Sequence, residues 1–486
     1  MSLVVVGDAL LDRDLDGRAE RLAPDAPVPV VDGVVERSRP GGAALAATLA
    51  AVSGMPVTLV CALGDDRAGR RLAALLADAG VRVCDLGLRG ATPEKVRVRA
   101  GGQALVRIDG GGNGHGCGPL SAAAGAVLRG AVAVLVSDYG RGVAAEPSVR
   151  AALAALEAPV VWDPHPNGPA PIAGVVLATP NEREALAAAG AALRRDATNR
   201  APGAGLGEVE YAARLLARRW RAAHVCVTRG SHGAFMVGGD GPALAIPAPH
   251  VPAGDPCGAG DRFAATVAAA LVTGLLPSEA VRAAVLAASA FVAAGGAAGA
   301  GHAPAPPPHP AGPAHSPRRA GPAHSPRRAG AADLAARVKH AGGTVVATGG
   351  CFDLLHAGHV RMLEAAGALG DCLIVCLNSD ESVRRLKGPD RPLVGEDDRA
   401  AVLAGLGCVD AVAVFDEDDP REILRTIRPD VWAKGGDYAV ADLPEAAELA
   451  GWGGRAVIVP YVSGRSTSRL IEIAGQVSTK EVSRAR

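Results

Sequence analysis

Two short clusters of residues carry the means for phosphate chemistry. Gly258-Ala259-Gly260-Asp261 leaves the backbone bare just ahead of an apolar run, Phe263 to Leu276. Unpaired amides at a helix start favour negative charge. An acid in the first turn, Asp261, is placed to take the proton of a substrate hydroxyl. Phosphoryl transfer needs positioning and charge neutralisation more than covalent help. The same four residues also fit an ordinary glycine-rich turn before a helix, and the motif alone does not decide between the two. The second cluster is Thr348-Gly349-Gly350-Cys351-Phe352-Asp353-Leu354-Leu355-His356-Ala357-Gly358-His359. It reads as a strand end, a turn and a helix start. Two histidines three apart at such a turn can both face a nucleotide, with Gly350 and Phe352 in its approach. Imidazoles there would stabilise charge on an α-phosphate under attack, helped by the helix start. No protein nucleophile is required, because the substrate's own phosphate attacks. A surface pair or a metal-binding pair is the alternative for the histidines alone, and the preceding Gly-Gly-Cys-Phe-Asp weighs against it.

Several loops add weaker signals. Asn181-Glu182-Arg183-Glu184 follows an apolar strand, and its Asn and Glu, three apart, suit the metal–phosphate side of a nucleotide, with Glu184 reaching magnesium through that nucleotide. Gly7-Asp8, Asp12, Gly41-Gly42, Arg97 and Arg107 are the expected sugar contacts. In the second half, Lys387 and Arg391 put two cations in a constrained loop, and Gly464-Arg465-Ser466-Thr467-Ser468 opens a final helix as an anion-binding start. Lys434-Gly435-Gly436-Asp437-Tyr438 sits at a strand end, where nucleotide or sugar contacts belong. No G-x-x-x-x-G-K-[ST] occurs, so this is not a P-loop enzyme.

These residues must be held by alternating strands and helices. Strands are expected at Leu3–Val6, Val57–Leu63, Val132–Val136, Val160–Trp162, Val175–Ala178 and Val225–Thr228, and helices at Ala68–Ala79, Glu182–Ala189, Glu208–Arg221 and Ala259–Thr273. Such alternation predicts a mostly parallel sheet covered on both faces. Lys95–Arg99 and Ala104–Ile108 alternate in period two around Gly101-Gly102, which predicts a hairpin serving as a lid or a dimer surface. Later the pattern restarts on a smaller scale, with strands at Thr344–Thr348, Cys372–Leu377, Ala411–Val414 and Ala456–Val459 and a helix at Val360–Leu369. Between the two halves the nonapeptide Ala311–Arg319 is repeated as Ala320–Arg328 in a Pro-rich stretch. Such a segment cannot bury a core and reads as a tether. The expected organisation is one domain over 1–298, a linker over 299–330 and a smaller domain over 331–486.

The bulk composition limits the classes. A chain of 486 residues exceeds the size at which one core keeps growing. Lys+Arg and Asp+Glu both number 50, which points to neither nucleic acid nor an anionic membrane. Nine scattered cysteines without a C-x-x-C pair suit reduced thiols in a cytoplasm. The amino terminus reads as a first strand, not a signal peptide.

The quoted segments resemble a known family. Gly7–Val31, Arg39–Ala44, Lys95–Asp109, Ser137–Gly142, Thr179–Glu184 and Gly258–Asp261 look like the ribokinase-type sugar kinases. Within these they are most similar to the kinase half of the bifunctional heptose 7-phosphate kinase/heptose 1-phosphate adenylyltransferases. Leu377–Pro392, Lys434–Tyr438 and Val459–Glu472 resemble the cytidylyltransferase-like half of the same proteins. The resemblance implies a ribokinase-like α/β domain with a β-hairpin lid, then a flexible linker, then a smaller Rossmann-like nucleotidyltransferase domain. It implies Asp261 as base, Gly258–Gly260 as anion hole, and ATP with magnesium but no tightly bound cofactor. Sugar phosphates and ATP are the implied partners, with a homodimer formed through the lid. The sequence departs from that pattern at Leu45, where an Asn is usual, at His165-Pro166, at Cys257 and at Arg262. These departures leave open another sugar phosphate; the other alternative, a kinase half reduced to a sugar-binding or dimerisation module, is weighed against by the retained Asp261 and its glycines.

Overall fold

The computed structural model describes residues 2–101, 103–111, 116–196, 205–239, 241–249, 251–252, 254–299, 328–436 and 445–459. The expected linker falls almost wholly outside them. The chain forms two compact units, one of Met1–Leu193, Tyr211–Arg229 and Val251–His309, the other of Arg194–Glu210, Gly230–His250 and Pro310–Arg486.

The elements up to residue 299 run as follows. The chain opens with β1 (Leu3–Gly7), β2 (Ala9–Leu22), β3 (Pro29–Gly42), α1 (Ala43–Val52), β4 (Val57–Cys61), α2 (Arg67–Asp78) and β5 (Arg82–Asp85). Next come β6 (Glu94–Ala100), β7 (Gln103–Gly110), α3 (Ala122–Arg129), β8 (Ala133–Ser137), α4 (Pro147–Ala154), β9 (Val160–Asp163) and β10 (Leu177–Ala178). Then follow α5 (Glu182–Asp196), α6 (Gly205–Trp220), β11 (His224–Thr228), β12 (Ala234–Gly238), β13 (Ala243–Ile246), α7 (Ala259–Val272), α8 (Pro277–Ala293) and α9 (Gly296–Gly299).

In the first unit the central sheet has the order β11-β10-β9-β8-β1-β4-β5, parallel throughout. Its middle strands are unbroken apolar runs, and β1, β4 and β8 are buried at every position. That is the pattern of strands covered on both faces. The expected strands and helices of this half are therefore present, with ends moved by up to three residues, except that α5 runs on past Ala189 to Asp196 through a non-helical Gly190.

The lid is larger than expected. The hairpin read at Lys95–Arg99 and Ala104–Ile108 is β6–β7, but it is only half of a four-stranded sheet of order β3-β2-β6-β7. Strands β2 and β3 were not expected. Pairing β2 to β6 in parallel sets Asp12 opposite Lys95, Asp14 opposite Arg97 and Asp16 opposite Arg99. Side chains two apart share a face, so one face of the lid carries this charged ladder. The other carries Val96, Val98, Val106 and Ile108, opposed in register.

The second unit contains α10 (Arg328–His340), β14 (Val345–Gly350), α11 (Ala357–Gly367), β15 (Cys372–Asn378), α12 (Asp380–Lys387), α13 (Glu396–Ala404) and β16 (Ala411–Phe415). These are followed by α14 (Arg421–Ile427), β17 (Val431–Gly435), α15 (Glu445–Ala450) and β18 (Arg455–Val459). Strands β16-β15-β14-β17-β18 form a parallel sheet, and the antiparallel pair β12–β13 lies along β18 through β13. Its core gathers Val345, Ile374, Phe415, Ile423, Leu424 and Trp432. Gly349 is required there, because a Cβ would stand 2.5 Å from the Trp432 ring.

Candidate active sites

The first site forms where α7 starts beneath the lid. Gly258 takes φ +82° at the helix cap, and a Cβ there would meet Leu45 at 2.9 Å. A glycine is needed on both counts. The Ala259 amide already donates to the Pro256 carbonyl at 3.0 Å, whereas Gly260 faces open space on its side-chain side. Asp261 is only 6% exposed. Burial pushes its carboxyl up to about 7, with Asp12 adding to the rise, while a hydrogen bond from Tyr139 and the Lys95 ammonium pull it back. A carboxylate poised near neutrality suits general-base work.

Around it stand the lid residues. Arg97 pairs with Asp12 at 2.9 Å and donates to Cys257 Sγ at 3.7 Å. Arg39 pairs with Asp14, and Arg99 lies 3.9 Å from Asp16 and 4.0 Å from Asp255. Gly41 leaves room for Asp12, whose Oδ2 would be 2.7 Å from a Cβ at that position. Gly42 sits at φ +61° ahead of α1. Arg97, Arg99, Ala104, Asp255 and Cys257 line an open cleft of about 450 Å³. Two expected sugar contacts are placed otherwise. Asp8 accepts three backbone amides, from Tyr139, Arg141 and Val143 at 3.1, 2.9 and 3.0 Å. Arg107 is exposed and paired with Asp109 at 2.9 Å.

The expected nucleotide segment starts α5. Asn181 Oδ1 accepts the Glu184 amide and Glu184 Oε2 accepts the Asn181 amide, each at 2.9 Å. This reciprocal pairing is a capping box, which satisfies two otherwise orphaned helix amides. Glu182 is bonded to Arg229 at 3.0 Å, and Arg183 is exposed. Burial raises the Glu184 carboxyl, and Asp163 nearby is raised well above the carboxylate range by burial and by Asp261. Thr179 Oγ1 donates to Asp163 at 2.9 Å. Sequence reasoning missed Tyr139, whose hydroxyl donates to Asp261 Oδ1 at 2.8 Å. Its only signal was its place in Ser137–Gly142.

The second site surrounds the start of α11. His356 is the cap, its Nδ1 accepting the Gly358 amide at 3.1 Å. His359 stacks on it, and Phe352, at φ +42°, meets the His359 ring edge-on at 5.4 Å. A Cβ at Gly350 would meet the Phe352 ring at 3.3 Å. Burial and the neighbouring His356 push the His359 imidazole down to about 4. Lys387 Nζ donates to Cys351 Sγ at 2.7 Å. Arg391 bonds buried Asp353 at 2.5 Å, and Asp353 also accepts the amides of Leu393 and Val394. The structure thus brings Gly350, Phe352, His356, His359, Lys387 and Arg391 to one end of β14. Arg465, Ser466 and Thr467 lie outside the described residues, as do Asp437 and Tyr438.

Arg399 is a further part of this site that the sequence did not announce. It is 1% exposed and donates to the carbonyls of Cys351 (2.6 Å), Asn378 (2.9 Å) and Val394 (2.8 Å) and to Asp380 (2.6 Å). One guanidinium therefore ties the histidine turn to the next strand end and to the Lys387–Arg391 loop.

Comparison with known proteins places both halves. A profile described as pfkB family carbohydrate kinase matches residues 1–303, and one described as cytidylyltransferase-like matches 347–473. The protein named Bifunctional protein HldE of Streptomyces coelicolor is 54% identical over 477 residues, 98% of this chain and 96% of that one. Proteins of the same name from Azorhizobium caulinodans and Pelobacter propionicus are 38% and 37% identical, over 96% of this chain and 97% and 95% of theirs.

Proposed function

The chain belongs to the pfkB carbohydrate kinase family and, along nearly all its length, to the bifunctional HldE proteins, and we propose that it performs two successive steps of ADP-heptose synthesis. The first unit transfers the γ-phosphate of ATP to the anomeric hydroxyl of a heptose 7-phosphate. A separate phosphatase then removes the 7-phosphate. The second unit joins AMP from ATP to the heptose 1-phosphate and releases pyrophosphate. The observation that carries this reading is Asp261, buried at a glycine-opened helix start beside a cleft lined by arginines. An unphosphorylated sugar offers such a cleft only neutral hydroxyls, whereas the 7-phosphate of the substrate supplies a charge that suits Arg97 and Arg99.

Asp261 takes the proton of the attacking hydroxyl, and the open backbone at Gly260 supports the transferred phosphoryl group. His356 and His359 flank the α-phosphate in the second step, and Lys387, Arg391 and Arg465 neutralise the triphosphate. Magnesium, when bound with ATP, screens the phosphate charges. The residues fit that ion: the capping pair uses Oε2 of Glu184, and hydrated magnesium needs few such hard oxygen ligands. A homodimer through the lid is supported by its outer face, where Val106 and Ile108 are 49% and 53% exposed. A cytoplasmic setting is supported by ATP use and by nine free cysteines. The test is mass spectrometry of products from ATP with heptose 7-phosphate, and from ATP or CTP with heptose 1-phosphate. A bisphosphate in the first reaction and ADP-heptose in the second are expected. No turnover of heptose 7-phosphate, with turnover of another sugar phosphate, overturns the substrate assignment.

A further inference from the structure

We propose that Tyr139 is a positioning residue for the kinase base, holding one carboxylate oxygen of Asp261 so that the other faces the sugar hydroxyl. This rests on Asp261 being the base. Tyr139 follows the buried strand β8, and its backbone is not free to drift. Asp8 Oδ2 accepts both the Tyr139 and Arg141 amides, and Oδ1 accepts that of Val143. The ring is set from several sides. His165 stacks against it with centroids 6.2 Å apart, and Lys95 Nζ stands 5.4 Å from its centroid. A Cβ at Gly42 would come within 3.4 Å of it. The phenol then reaches Asp261 Oδ1 at 2.8 Å.

The consequence is a division of labour between two oxygens. Oδ1 is occupied by a donor, which leaves Oδ2 to accept the hydroxyl proton. In the transfer step the sugar oxygen bonds to Pγ, the Pγ–O bond to ADP breaks, and the proton passes to Oδ2. Tyr139 cannot replace Asp261 as base, because burial and Asp261 itself hold its hydroxyl well above the usual tyrosine range. It remains a donor throughout. Besides burial, four groups act on Asp261: Tyr139, Asp12 on β2, Lys95 on β6 and the backbone amide of Asp261 itself, while Asp163 at the end of β9 is itself raised by burial and by Asp261. Asp12 disfavours the ionised base. Lys95, Tyr139 and that amide favour it, and of the two side chains Tyr139 does so through a hydrogen bond.

The experiment is the pH profile of kinase kcat/KM in the full chain, comparing wild type, Tyr139→Phe and site-specific 3-fluorotyrosine at 139. Loss of a donor to a carboxylate raises its pKa. Tyr139→Phe is expected to move the acid limb up by about one pH unit, the usual worth of one such hydrogen bond. Its rate deficit is therefore largest at acid pH and shrinks as pH rises. Fluorotyrosine, a stronger donor, is expected to move the limb down. The thermal transition of the first unit in the same samples reports that it is folded, and if Tyr139→Phe fails that control the fluorotyrosine arm decides. A limb that stays in place in the folded variants, or a rate loss uniform across pH, overturns the proposal. Failure of the base assignment is read separately, as retained turnover in Asp261→Asn.

Discussion

The rings of His356 and His359 stack with centroids 3.9 Å apart and planes 24° from parallel. Three residues apart at a helix start, they share one side of the first turn, which a single cap residue would not require. Removing either ring should lower adenylyl transfer by about 10²–10³-fold, the scale for a lost transition-state donor. ATP affinity, read by calorimetry, should change less. Affinity that collapses while saturated turnover survives would assign them to ground-state binding.

Asp261 with its carboxyl near 7 gives the kinase a defined pH response. The base works only when ionised, so activity should climb with pH through about 7, with roughly one tenth of the ceiling at pH 6. The second activity should be flat across that range with respect to His359, which burial keeps neutral. Asp261→Asn should lower kinase turnover by about 10²–10⁴-fold and leave pyrophosphate release intact. Parallel titration of both activities in one sample checks this.

Arg99 stands in the cleft beside Arg97 and offers a charge to the far end of the substrate. Arg99→Ala should raise KM for heptose 7-phosphate by about 10–100-fold, the equivalent of one charged hydrogen bond. KM for ATP should hold. Equal KM values for the sugar phosphate in both proteins would place its phosphate elsewhere.

Arg399→Met removes the donor that joins three loop carbonyls and leaves Asp380 without its partner. Breaking a buried pair of this kind costs about 3–5 kcal/mol. Thermal unfolding of the full chain should show an earlier transition together with lost adenylyl transfer, while kinase activity remains below that temperature. A single unchanged transition would refute the role.

Deleting Ala320–Arg328 should leave both activities nearly as they were, because closure entropy depends only logarithmically on length. The preceding copy supplies the same residues ahead of α10. A large loss of either activity would make the repeat a binding element.

The sequence disclosed what depends on local pattern. The buried strands β1, β8 and β15 are apolar runs, and the glycine–acid and histidine motifs sit at helix starts. Strands β2 and β3 were hidden because their alternation is charged on the site face and exposed elsewhere, so no hydrophobic period marks them. Arg399 was hidden for another reason. It lies in an acidic helix start that reads as solvent-facing, and three of its partners are backbone carbonyls, which carry no sequence signature. Asn181 and Glu184 were legible as a pair, and Asn-x-x-Glu at a helix start already spells the capping box that the structure shows, although the pair reads equally as a nucleotide contact.

Strand β2 spans fourteen residues, with buried Asp12 near its root and Leu22, 62% exposed, at its tip. At about 3.3 Å per residue the two lie roughly 30 Å apart. One continuous strand, bent by irregularities after Asp16 and Arg18, therefore joins the active site to a solvent-exposed tip. A partner that covered Leu22 would hold the same strand that carries Asp12.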